Sequence, residues 1–282
     1  MRMLVAWLLL AASLGAAEMR VVRDLPYVAP PQGETTNERQ SLDVYAPAEG
    51  EKHPVAIWIH GGGWRRGDKR GVQLKPAAFV ERGYLFVSIT YRFFPEVTIK
   101  EMTGDIAKAI RWVHDHAKEY GGDPTRLCVL GHSAGAHLAA LVCTDDRYLR
   151  EVKVPLADIK GCVPVDVSVY DIPTRLKMTG SVDPKTYIAL FGEDESMQRD
   201  YSPVAHVAAQ KSIPSFLILH VASRPETKAQ SELFAKTLQD AGIAAQVVSA
   251  EGKTHGTISS DLGKPDDAPT VALFQFLSER LK

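Results

Sequence analysis

Short apolar runs of strand length alternate along this chain with longer stretches in which apolar residues recur at helical spacing. Strands are read at residues 20–28, 39–45, 55–60, 84–91, 126–130, 159–165, 215–221 and 245–250. The third, Val55-Ala56-Ile57-Trp58-Ile59, is apolar at every position, which suits a parallel strand covered on both faces. The clearest helix spans 102–119, where Met102, Ile106, Ala109, Ile110 and Val113 share one face and Gly121 follows as a stop. Similar stripes mark helices at 231–238 and 271–281. Helices fill the gaps from the third strand on, which predicts an α/β fold: a mostly parallel eight-stranded sheet with helices on both faces. No helix separates the first two strands, so that edge is expected to be antiparallel. The segment 166–214 is longer than a simple crossover and holds Tyr170, Tyr187, Phe191 and Tyr201 among polar residues. Caps and substrate walls sit on such segments, and a plain helix-containing connection fits the same pattern. Phe93 and Phe94, past the fourth strand, either line the same cleft or fill the core.

The first seventeen residues stand apart from this pattern. Arg2 precedes an apolar run over 3–14, and Gly15-Ala16-Ala17 supplies small residues before Glu18, the layout of a secretory signal peptide. The run is short for a bilayer span. A signal peptide over 1–17, a single domain over 18–282 and a secreted or periplasmic location without stable membrane insertion are therefore expected. No linker, repeat or low-complexity block divides the remainder. The net charge of −1 gives no reason to expect a nucleic-acid partner. Arg65-Arg66-Gly67-Asp68-Lys69-Arg70 is a local basic cluster, read as solvated surface or as a site for an acidic substrate. Cys128, Cys143 and Cys162 form an odd set without metal-ligand spacing, which fits core thiols better than a disulfide. No metal or cofactor is expected.

Candidate chemistry concentrates at two glycine-rich turns. Gly131-His132-Ser133-Ala134-Gly135 stands between the apolar run 127–130 and a helical stretch that starts at Ala136. A G-x-S-x-G pentapeptide between strand and helix is a nucleophile-elbow pattern, with the serine exposed on a strained turn. His60-Gly61-Gly62-Gly63-Trp64 follows the third strand, and three successive glycines there indicate that bare backbone is required. The N–H groups of Gly62, Gly63 and Ala134 would form an oxyanion hole, the preorganised donor set that acyl transfer needs. Of nine histidines, His255 has the context of a general base, in a flexible loop after the last strand and in the chain order Ser, acid, His. His60 reads as a structural group orienting the glycine loop. His114 and His116 point different ways on one helix, His132 and His137 belong to the elbow and its helix, and His206 and His220 have no distinguishing context.

The order His60-Gly-Gly-Gly-Trp64, Tyr91-Arg92, Asp105, Gly122-Asp123-Pro124 and Gly131-His-Ser-Ala-Gly135 resembles α/β-hydrolases of the hormone-sensitive-lipase type. Within that group it is similar to the feruloyl-esterase-like and kynurenine-formamidase-like branch, from about Arg39 to the C-terminus. The resemblance implies a cofactor-free serine hydrolase acting on a small-molecule ester or an aryl formamide, with Ser133 as nucleophile, His255 as base, and Gly62, Gly63 and Ala134 as oxyanion donors. It also implies an aspartate a few residues past the seventh strand, where this chain has Ser223-Arg224. Glu226 is the first carboxylate downstream and is assigned as the acid, with Asp166 after the sixth strand as the competing candidate. Absence of any acid would instead fit a weakened, binding-only hydrolase scaffold. Short-chain or aromatic carboxylic esters are the expected substrates, and an arylformamidase is the alternative.

Overall fold

The apolar run that ends at the glycine loop lies inside the sheet. In the computed structural model, residues 18–30, 32, 35–178 and 184–282 are described; the expected signal peptide over 1–17 lies outside them. β1 (Met19–Pro26), β2 (Ser41–Pro47), β3 (His53–Ile59), β4 (Leu85–Ile89), β5 (Gly122–His132), β6 (Ile159–Val165), β7 (Ser215–Val221) and β8 (Ala245–Ala250) form one sheet. Their spatial order is β1-β2-β4-β3-β5-β6-β7-β8. The β1–β2 and β2–β4 pairs are antiparallel and the rest parallel. Alternation along β3 shows how both faces are used. Val55, Ile57 and Ile59 join one apolar core, Ala56 and Trp58 the other.

Helices cover both faces. α1 (Lys75–Val80), α2 (Ile99–His116), α3 (Ala134–Thr144) and α4 (Asp146–Glu151) precede β6; α5 (Ile172–Leu176), α6 (Pro184–Phe191) and α7 (Glu195–Asp200) lie between β6 and β7. α8 (Pro225–Asp240), α9 (Thr257–Ser260) and α10 (Ala268–Arg280) complete the chain. Residues of α2, α3 and α8 fill the first core, and residues of α1, α9 and α10 the second. Several boundaries differ from the sequence expectation for identifiable reasons. α2 begins three residues earlier because Thr98 and Glu101 cap it reciprocally, with the Thr98 N–H donating to the Glu101 carboxylate at 2.8 Å. α8 begins at Pro225 rather than 231, where proline is pre-organised for the first helical position. All three cysteines are buried and unpaired by disulfides.

The segment 166–214 carries α5 to α7, with 179–183 outside the described residues. Its aromatic residues divide by role. Tyr170 is buried and stacks on Phe234 of α8, whereas Tyr187 and Phe191 of α6 meet Trp64 of the glycine loop edge-on. Phe93 joins the core; Phe94 lies beneath the Arg65 guanidinium.

One buried polar cluster fastens the region behind the glycine loop. Asp105 of α2 is fully buried. It accepts Arg92 Nε and Nη2 and Gln40 Nε2, each at 2.8 Å, and the Arg92 N–H at 3.2 Å. Removing one partner of such a cluster strands the other groups. Asp105→Ala is expected to lower unfolding free energy by about 2–4 kcal/mol, measured by urea titration at pH 7; a loss below about 1 kcal/mol would contradict this account.

Candidate active site

The site forms where β3, β5 and β6 end side by side. Ile59 pairs with Gly131, and His132 with Val165. The chain leaves β5 through Ser133 at φ 55°, in the left-handed region that residues with a Cβ seldom adopt. Packing compels that turn. A Cβ added at Gly135 would stand 2.3 Å from the Ile59 carbonyl oxygen and 2.5 Å from that of His60. Only a bare backbone allows α3 to start this close to the end of β3. The Ser133 N–H donates to the Val165 carbonyl at 2.9 Å, tying the elbow to the neighbouring strand end.

His255 reaches the serine from the loop after β8. Its Nε2 lies 3.0 Å from Ser133 Oγ, and its Nδ1 2.6 Å from Asp166 Oδ2. With Nδ1–H donating to the carboxylate, Nε2 carries the lone pair that accepts the serine hydroxyl. Asp166 is the first residue past β6, as Ser133 is the first past β5, and it too has a positive φ, 52°. Its own N–H donates to Leu219 O at 2.7 Å, and its Oδ1 accepts the Val221 N–H at 3.0 Å. Burial pushes this carboxyl upward, but the bonds from His255 and Val221 and the Arg224 charge together hold it below the usual aspartate range.

The assignment of Glu226 to the Nδ1 side of His255 is corrected here. Asp166 occupies that place, and Arg224 stands between His255 and Glu226. Arg224 Nη1 donates to Asp166 Oδ2 and lies 2.9 Å from His255 Nδ1; its Nη2 lies 3.5 Å from Glu226 Oε1. Glu226, buried in the first turn of α8, pairs with this arginine. Asp166 is the competing candidate of the sequence reading; Arg224 occupies, with Ser223, the place where that reading expects an acid.

The glycine loop turns beside the serine. Gly62 has φ 131°, and a Cβ there would lie 1.9 Å from the Arg66 carbonyl oxygen, so the loop folds back on itself too tightly for a side chain. Among the described residues the N–H groups of Gly62 and Gly63 donate to no protein acceptor. Ala134 opens α3, where the N–H lacks an intrahelical partner. These are the three donors singled out from the sequence, and Gly63 lines the same cleft as Ser133. His60 matches its structural reading: Nδ1 donates to Gly61 O at 2.7 Å, and the ring stacks on Tyr91. Burial pushes its proton affinity down to about 4.

His132 has a part that sequence reasoning missed. Its Nε2–H donates to the His255 carbonyl at 2.8 Å, and the two rings sit 4.6 Å apart. Burial, followed by the nearby His255, pushes His132 down to about 3, so it stays neutral. The cleft above Ser133 measures about 310 Å³ and is bounded by Trp64, Val167, Ser168, Thr186, Tyr187 and Arg224. No group of residues suited to hold a metal ion occurs among the described residues.

Comparison with known proteins agrees with this architecture. A probable isoprenylcysteine alpha-carbonyl methylesterase of Arabidopsis thaliana is 31% identical over 238 residues, 77% of this chain and 48% of that protein. An esterase of Mycobacterium tuberculosis is 32% identical over 207 residues, 70% of this chain and 48% of that protein. The chain thus spans about half the length of these curated relatives. A truncated carbohydrate esterase from gut microbiota superposes with a TM-score of 0.75 at 20% identity, covering 94% of this chain and 97% of that one, which shows a common fold. The BD-FAE family model matches residues 42–238, a span that holds β2 to β7, the glycine loop and the elbow, and the chain belongs to the BD-FAE family.

Proposed function

We propose that this protein is a serine hydrolase that cleaves carboxylic esters through an acyl-enzyme, and that the continuous relay Ser133–His255–Asp166 carries the reaction. Ser133 Oγ attacks the ester carbonyl carbon while its proton passes to His255 Nε2. Asp166 holds the Nδ1–H tautomer and stabilises the imidazolium that forms. The carbonyl oxygen takes up the displaced electron pair and is met by the N–H groups of Gly62, Gly63 and Ala134. Collapse of the tetrahedral species breaks the C–O bond, and the leaving alkoxide takes the proton from His255. Water then attacks the acyl-enzyme by the same route, releasing the acid and restoring Ser133. The methylesterase and esterase names of the relatives support this reaction class.

Short acyl chains and aromatic groups suit the cleft best. Its volume of about 310 Å³ is at the small end of ligand pockets, and Trp64 and Tyr187 bound it with ring surface. Segment 166–214 forms one wall through α6 and serves as a substrate wall in this reading. Residues 1–17 direct export as a signal peptide, so N-terminal sequencing of the exported protein should begin near Glu18; retention of Met1 would count against export.

A fluorophosphonate probe should label the wild type at Ser133 and leave Ser133→Ala unlabelled. Asp166→Asn should reduce kcat by roughly a thousandfold to ten-thousandfold, while Glu226→Gln stays within about tenfold of wild type. Absence of label at Ser133, or the reverse ranking of the two carboxylate variants, would defeat the assignment.

Activity on p-nitrophenyl butyrate should exceed that on the palmitate. A preference for palmitate would contradict the compact-cleft reading. Faster turnover of N-formylkynurenine than of any ester in the same panel would favour an arylformamidase.

A further inference from the structure

Arg224 is the only guanidinium bounding the cleft above Ser133 among the described residues. It sits between two carboxylates that the fold has taken out of water: Asp166 is 1% exposed and Glu226 4%. Two buried anions in one neighbourhood are costly without a cation, and Arg224 supplies it with one nitrogen toward each. Nη1 donates to Asp166 Oδ2, and Nη2 pairs with Glu226 Oε1 at 3.5 Å. Asp166 Oδ2 therefore receives two donors, Arg224 Nη1–H and His255 Nδ1–H, while Oδ1 receives the Val221 N–H. Nη1 and Nδ1 lie 2.9 Å apart, yet both donate to the same oxygen, so neither bonds the other. The carboxylate is held on three sides, and its remaining freedom, rotation about Cβ–Cγ, is opposed by Arg224 and Val221 together.

The planar fork of a guanidinium is suited to this task. Its nitrogens diverge at a fixed angle and reach two carboxylates at once, whereas an ammonium is a single point on a flexible stem. Arg224 also opens α8 as its N-cap residue, with its N–H on Val221 O at 3.2 Å. Its backbone is thereby tied to the same strand end that supplies the Val221 donor.

We propose that Arg224 is a positioning residue, a two-pronged clamp that uses Glu226 as its rear anchor to hold Asp166 in the orientation that His255 requires. The proposal rests on the hydrolase reading above and adds to it how the acid is held. In this proposal Arg224 acts on the reaction through Asp166, so its contribution should fall in kcat, and it should vanish when Asp166 can no longer serve.

The test uses Arg224→Ala, Arg224→Lys and the double variant Arg224→Ala/Asp166→Asn, assayed on p-nitrophenyl acetate at the wild-type optimum. Arg224→Ala should lose about tenfold to a hundredfold in kcat, with KM changed less than threefold. Added guanidinium chloride at tens of millimolar should restore a large part of that loss, and methylammonium chloride much less. Arg224→Lys should remain several-fold below wild type, because one ammonium cannot bridge both carboxylates. In the double variant the arginine change should cost less than twofold beyond Asp166→Asn alone. A kcat within twofold of wild type in Arg224→Ala, a loss that appears in KM, or additive effects in the double variant would overturn the proposal. If Arg224→Ala does not fold, Arg224→Lys decides: full wild-type kcat there would refute the need for a fork. Failure of the hydrolase reading would show separately, as an inactive and unlabelled wild type.

Discussion

The site depends on one close approach between two backbones. α3 begins where Gly135 lies against the carbonyl oxygens of Ile59 and His60, at a separation that leaves no room for a Cβ. Ser133 must then turn through a left-handed conformation to join β5 to that helix. Strain of this kind persists only where the surroundings over-determine it, and here they do. The Ser133 N–H is bonded to β6, and the strands on both sides of β5 are in parallel register. The same contact brings the end of β3, and hence the glycine loop, beside the serine. Hydroxyl and candidate oxyanion donors thus occupy one place as two results of a single packing constraint.

Much of this was legible in the sequence, because the features concerned are local. Eight strands and their antiparallel edge follow from apolar runs and the missing first helix, and the serine turn is spelled in five residues. The acid was harder to read. Which carboxylate meets His255 depends on two strand ends and a loop brought together across 89 residues of chain, and no spacing rule between Asp166 and His255 reports that. A signal existed nonetheless: Asp166 is the first residue past the strand-like run 159–165, at a strand end next to the one that leads into the Ser133 turn. Glu226 drew attention through its distance from β7. Its actual neighbour, Arg224, was noticed only as a residue that is not an acid.

The histidines divide by what burial does to them. His60 and His137 are buried and His132 half-buried, and burial pushes them to about 4, 4 and 3, so each is a neutral donor to a backbone carbonyl. His255 alone among those near the serine is substantially exposed, with 44% of its side chain open. Burial also acts on Lys75, which it lowers to about 7. That lysine holds Ser259 O at 2.7 Å and lies over the Trp58 ring, so α1 and the short α9 beyond His255 are fastened through a buried amine.

The bond from His132 Nε2 to the carbonyl of His255 means that serine and histidine share a common datum. Residue 132 is covalently adjacent to the serine, and 255 belongs to a loop that would otherwise take its position from the far edge of the sheet. A tilt of the elbow therefore carries the histidine backbone with it, and the 3.0 Å gap between Nε2 and Oγ is referenced to a neighbour of the serine on one side and, through Asp166, to the end of β7 on the other.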